Sequence, residues 1–325
     1  MDKKTQGTLE MSAAMAISGT IGWFVVQSGL PALEVVFWRC AFGAVALGLV
    51  CWAMGLLRGM TWRIARWAAL GGVAIVTNWL LLFGAYSHAS ISVATAVYNT
   101  QPFMLVIFGA LLFGERVTLA KLGWLATAFV GMLLIVQAKP GVSLPGGDYA
   151  LGIAMALGAA FFWAVASVIA KRLTGTPPHL IALVQVAVGV LMLAPFARLG
   201  TPPQGSSTWL LLVTLGVVHT GLMYILLYGA VQKLPTYLQG ALSFIYPVVA
   251  IGVDFVAFGH RLQPAQWLGA AAILLAALLH ALWNALAKRQ AEGRVSVLLV
   301  SLCSGLFSLP FLPLVGWPAP VEYPW

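Results

Sequence analysis

Eleven runs of apolar residues, each near the roughly 20 needed to carry an α-helix across a hydrocarbon core, divide this chain of 325 residues. They fall near 9–29, 33–55, 65–86, 91–113, 119–136, 149–170, 180–197, 208–231, 237–258, 265–286 and 295–315. So dense a succession leaves one solvent in which the chain can fold. With 61% hydrophobic and 8% charged residues it lacks the polar side chains to cover a surface in water, which excludes a water-soluble globule. The expectation is an all-α integral membrane protein with short connections, its first partner the lipid bilayer.

The basic residues orient it. Lys and Arg concentrate in loops on the cytoplasmic side of a membrane. With the N-terminus inside, thirteen of the 17 Lys and Arg fall in cytoplasmic segments and only Lys139, Arg198 and Arg261 fall outside. The net charge of +9 therefore marks cytoplasmic loops and requires no nucleic acid. Lys3 and Lys4 precede an apolar stretch that is long for a signal core and lacks a small-x-small cleavage site, so it reads as a retained first helix.

Within the runs a repeat is visible. Pro102 aligns with Pro247 and Gly114 with Gly259, at a constant offset of 145 residues. Each pair sits in an apolar run broken by proline and left through a glycine and an ionisable residue. Residues 1–138 and 147–288 are thus expected to be two five-helix repeats. An odd number of spans makes the second enter the membrane from the opposite side, and inverted repeats of this kind are characteristic of secondary transporters.

Polar residues inside the runs mark the candidate site. Each proline lies mid-run, near the bilayer midplane, and is expected to kink its helix, freeing the carbonyls of Tyr98 and Ser243. In hydrocarbon such carbonyls must face protein, water or a ligand. At similar depth stand Asn78, Trp79 and Tyr86, then Asn99 and Gln101, then Trp163 and Ser167, then Tyr224 and Tyr228, and Tyr246 beside Ser243. These are expected to turn inward and line a substrate site, with Pro102 and Pro247 as hinges; helix-to-helix hydrogen bonding is the plainer role for any one of them. Arg39 and Asp254 are the charged side chains clearly within spans, candidates for proton coupling, substrate binding or a mutual ion pair, and His219 is a further relay candidate. Glu10 and Glu34, at span ends, are expected to face water.

Other features carry packing alone. Gly152, Ala156, Ala160 and Ala164, and Ala277, Ala281 and Ala285, form small-xxx-small stripes that let backbones approach. Cys40, Cys51 and Cys303 have neither CxxC spacing nor an external cluster, so no metal or disulfide is expected. No Gly-x-x-x-x-Gly-Lys, His-Glu-x-x-His or paired-carboxylate pattern occurs, which speaks against an enzyme, an ATPase or a bound cofactor.

The paired repeat, Trp38-Arg39 at the start of the second span, Pro102 followed by Gly114-Glu115, and Tyr246-Pro247 followed by Gly259 resemble the EamA group of the drug/metabolite transporter superfamily. Tyr98-Asn99-Thr100-Gln101-Pro102 and Leu242 through Pro247 are similar to its YddG-type aromatic amino-acid exporters. The resemblance implies a basket of helices around a central cavity, spans four and nine as movable elements, and export of amino acids or similar metabolites across the bacterial inner membrane. A broad drug or cation exporter of the same superfamily is the alternative. Two departures stand out. The Gly-Glu exit of span four becomes Gly259-His260, and residues 268–289 align with 151–172. The tenth span thus doubles as the opening of a third, unfinished repeat, and 289–325 adds an eleventh helix and a proline-rich tail. A gene fusion, a truncation or an assembly artefact would each produce it.

Overall fold

The computed structural model describes residues 2–88, 94, 97–115, 117–137, 149–197 and 203–258, with isolated positions between 264 and 275. The regular structure among these residues is all helical, with no strand among them. In chain order they form α1 (Lys3–Ser28), α2 (Ala32–Ala53), a 3₁₀ turn (Leu56–Gly59), α3 (Trp62–His88), α4 (Gln101–Phe113) and α5 (Leu119–Gln137). Then follow α6 (Tyr149–Arg172), α7 (Pro178–Leu193), α8 (Ser206–Gly216), a π-helical turn (Val217–Leu222), α9 (Met223–Lys233), α10 (Thr236–Ser243) and α11 (Ile245–Phe258). Four helical stretches, Ala32–Ala53, Trp62–Ala85, Ala150–Arg172 and Ser206–Lys233, are long and apolar enough to cross a membrane; Gln101–Phe113, Leu125–Leu134 and Pro178–Leu193 are shorter apolar helices. Most of the tenth span, the eleventh span, Gly259-His260, the Ala277 stripe, Cys303 and residues 289–325 lie outside the described residues.

Residues Met1–Leu274 make one compact unit, and its helices interleave. α3 packs along α6 and α7, α2 along α7 and α8, α1 along α9 and α11, and α4 between α6 and α10. Helices early in the chain therefore find their main partners late in it. The small stripe on α6 makes the tightest of these contacts possible: Gly152, Ala156, Ala160 and Ala164 are buried, and α6 meets α3 along its length. Away from the contacts, Leu49, Trp52, Leu70, Leu111 and Val256 are exposed. An apolar rim around an apolar core is what a bundle in lipid needs, since a hydrocarbon solvent rewards no polar exterior.

Candidate functional site

Two interruptions organise the interior. Val97 and Tyr98 are helical, Asn99 and Thr100 turn, and α4 begins anew with Pro102 as its second residue. The Thr100 hydroxyl donates to the Val97 carbonyl at 2.7 Å, and the Thr100 amide to the same oxygen at 3.1 Å. In the later pair, α10 stops at Ser243, Phe244 turns, and Pro247 is the third residue of α11. The Ser243 hydroxyl there donates to the Gly240 carbonyl at 2.6 Å. This corrects the expectation of a kink inside a continuous helix. Each break precedes its proline, because proline has no N–H for the residue four back and its ring crowds that carbonyl, whereas it sits without loss in a first turn, where its absent N–H would have no partner anyway.

The two broken segments touch. A Cβ built on Gly240 would stand 3.0 Å from the Pro102 Cβ and 3.4 Å from its Cα and carbonyl oxygen, so α10 lies against the start of α4 with no room for a side chain. Further along α4, Gly109 faces the Thr236 side chain more closely still. Gly114 then takes φ +63°, the left-handed turn that ends the helix, and the Glu115 amide closes it on the Gly109 carbonyl at 3.1 Å.

That turn delivers Glu115 to α6 and α10. Its carboxylate accepts from Lys171 Nζ at 2.5 Å, from the Thr236 amide at 2.9 Å and from the Thr236 hydroxyl at 2.7 Å. Lys171 also donates to the Leu234 carbonyl at 3.1 Å. Glu115 thus caps the N-terminus of α10 from a distant part of the chain, where a negative charge is favoured. Burial would raise its pKa, but the hydrogen bonds from Lys171 and Thr236 and the Lys171 charge outweigh it and hold the carboxyl below its ordinary value. Beside it Lys233 donates to both carboxylate oxygens of Glu10 at 2.7 Å. Glu10 and Glu34 therefore depart from the expectation of facing water: Glu10 is ion-paired and partly buried, and Glu34 is buried.

Deeper in the bundle, Asn78, Asn99, Gln101, Trp163, Ser167, Tyr224 and Ser243 are all buried, while Tyr98 and Tyr246 are half-buried. Asn78 Nδ2 donates to the Ala159 carbonyl at 2.7 Å and to the Tyr98 hydroxyl at 3.3 Å, drawing α3, α6 and Tyr98 together. Its Oδ1 is left without a partner, as is Oε1 of Gln101. Trp79, Trp163, Tyr224 and Tyr228 belong to one buried cluster, with Tyr98 and Tyr246 packed against it. Trp79 meets Tyr224 edge-on at 6.0 Å, and Tyr224 meets Tyr228 at 5.3 Å. The Tyr228 hydroxyl donates to Gln185 Oε1. Gln185 was not singled out from the sequence, although an amide inside a span is signal enough.

The π turn holds the remaining candidates. Its extra residue per turn lets the Thr220 hydroxyl donate five residues back, to the Leu215 carbonyl at 2.8 Å. Arg39 Nε donates to Thr220 Oγ1 at 3.0 Å and Nη2 to the His219 carbonyl at 3.4 Å, while the guanidinium lies over the Trp79 ring, 4.4 Å from its centroid. The His219 ring shares a 2.7 Å hydrogen bond through Nε2 with the Thr20 hydroxyl and packs on Phe24 at 4.6 Å. Asp254 is on α11, but its side chain and that of Tyr86 lie outside the described residues. No pattern in the sequence marks the π turn, which π-bulge statistics associate with functional sites.

Apolar helices that bury amides, a guanidinium and tyrosines around paired helix breaks are those of a polytopic membrane protein with a polar interior. The chain belongs to the EamA-like transporter family, which matches it over residues 7–137 and again over 150–282. It is similar to an uncharacterized transporter, YxxF, of Bacillus subtilis, 29% identical over 298 residues, covering 90% of this chain and 94% of that one. A riboflavin transporter of Vibrio cholerae is 27% identical over 297 residues, covering 86% and 94% respectively. A probable amino-acid metabolite efflux pump of Escherichia coli is 27% identical over 277 residues, covering 75% and 91%. A crystal structure with a TM-score of 0.74 and 23% identity covers 89% of this chain and all of that one, and shares the fold.

Proposed function

We propose that the protein is a secondary transporter that exports amino acids with aromatic or other apolar side chains, or similar small metabolites, across the inner membrane by alternating access. The observation that carries this reading is that Asn78 Oδ1 and Gln101 Oε1, two of the three amide oxygens buried without a partner among the described residues, belong to the candidate site. An acceptor buried without a donor is costly, and a substrate ammonium supplies the missing donor. The rings of Trp163, Tyr224 and Tyr246 suit the apolar side chain of the same molecule. The efflux pump among its relatives agrees with this class.

On the proposed topology of two inverted five-helix repeats with a cytoplasmic N-terminus, Glu115, Lys171, Lys233 and Thr236 lie at the cytoplasmic end. Their contacts then close that end, and substrate enters when α10 leaves α4, with Pro102 and Pro247 at the hinges. Coupling is to a proton or to the substrate gradient itself.

The test is efflux of phenylalanine, threonine, riboflavin and a cationic drug from proteoliposomes. Phenylalanine flux is expected in the wild type. In Asn78→Ala and Gln101→Leu its apparent affinity should fall about ten- to a hundredfold, the worth of a charge-assisted hydrogen bond of roughly 1.5–3 kcal/mol. Flux of riboflavin or of the drug without amino acids would replace this reading.

A further inference from the structure

We infer that Arg39 binds the anionic end of the transported molecule, so that a substrate must carry a carboxylate. This rests on the export reading above and narrows its substrate class. Arg39 is 2% exposed, within α2, and the groups around it are neutral: the Thr220 hydroxyl, the His219 carbonyl and the Trp79 face. The salt bridges among the described residues run from Glu115 to Lys171 and from Glu10 to Lys233, and neither involves Arg39.

A cation held out of water by neutral partners alone is costly, and an anion that joins it in good geometry offsets part of that cost. Its two hydrogen bonds use two of the five N–H donors of a guanidinium, and the fork that remains is the geometry that takes both oxygens of a carboxylate. The position suits the substrate read from the other polar groups. Trp79, under the guanidinium, is the residue after Asn78, whose unpartnered oxygen suits an ammonium. Trp79 also meets Tyr224, and Tyr224 meets Tyr228, so aromatic rings continue inward from the cation. A zwitterion with an apolar side chain satisfies all three.

The competing role for Arg39 is a clamp on the π turn. The two are separated by comparing efflux of phenylalanine with that of phenylalaninamide, which keeps the ring and ammonium and lacks the carboxylate. The wild type should prefer phenylalanine by about tenfold or more, as one charge-assisted bidentate pair implies. In Arg39→Gln that preference should collapse toward unity, with amide flux retained. Arg39→Lys should keep an intermediate preference, because a point charge remains without the fork. It also carries the test if the glutamine variant does not fold.

An unchanged preference in either variant overturns the inference and leaves Arg39 as a clamp. Recovery of the thermal midpoint of Arg39→Gln by Asp254→Asn would make Asp254 the counterion, and also overturns it. Wild-type protein that moves neither compound defeats the export reading itself, and this inference with it.

Discussion

Glu115→Gln is expected to lower the thermal midpoint of the detergent-solubilised protein and to loosen the end of the bundle where α4, α6 and α10 meet. The carboxylate accepts three hydrogen bonds, two from Thr236 and one from Lys171. An amide keeps one acceptor oxygen for Thr236 and turns an NH₂ toward an ammonium. Breaking one side of a partly buried, hydrogen-bonded charge pair costs about 1–3 kcal/mol, because the other charge is left uncompensated. Adding Lys171→Met should recover part of that loss, since the stranded ammonium is then gone. A midpoint equal to the wild type in the single variant would remove the pair from any structural role.

The same group predicts a pH dependence with a definite sign. Its folded pKa is held below the ordinary 4.5, so the folded state binds this proton less readily than the unfolded chain. The stabilisation is present in full above that ordinary value and is lost as the pH falls through the depressed one. The gap in midpoint between wild type and Glu115→Gln should therefore be constant near neutrality and shrink in the acid range. A gap that widens on acidification would contradict the assignment.

Gly240→Val is expected to abolish most transport while the protein still accumulates in the membrane. The space a first carbon would need ends 3.0 Å away at the Pro102 ring, with Pro102 backbone at 3.4 Å. Neither a pyrrolidine ring nor a backbone carbonyl can swing aside, so the two branches of valine must drive α10 away from α4. Overpacking of this kind costs about 1–3 kcal/mol, and on the function proposed above it acts on the contact that α10 makes and releases. Gly240→Ala should show the same effect in milder form. Gly123→Ala on α5 is the control, since a carbon there meets nothing within 4 Å and alanine favours a helix by about 0.5–1 kcal/mol over glycine. Full activity in Gly240→Val would show that α10 and α4 need not meet.

Much of this was legible in the amino-acid order because lipid imposes simple rules. Apolar run length marks α2, α3 and α6, a spacing of four marks the α6 stripe, and amides such as Asn78 and Gln101 announce themselves by their cost in hydrocarbon. What was hidden depends on contacts distant in sequence. Pro102 and Pro247 pointed to a distortion of their helices, but the full break ahead of each, at Asn99-Thr100 and at Phe244, takes the three-dimensional structure to see. Glu115 read as a helix exit, and only the approach of Thr236, 121 residues away, makes it a cap. At the π turn Arg39 meets Thr220 across 181 residues, which local composition cannot encode.

That turn also sets where the later aromatic residues look. At 3.6 residues per turn, one added residue amounts to about 100° of rotation for everything beyond it. In a plain α-helix of the same sequence Tyr224 and Tyr228 would swing by that angle, away from Trp79 and Gln185. The tyrosines therefore owe their bearing to a slip in winding, within which the Thr220 hydroxyl reaches the Leu215 carbonyl five residues back. Span eight can be thought of as a dial whose setting is the register of its backbone.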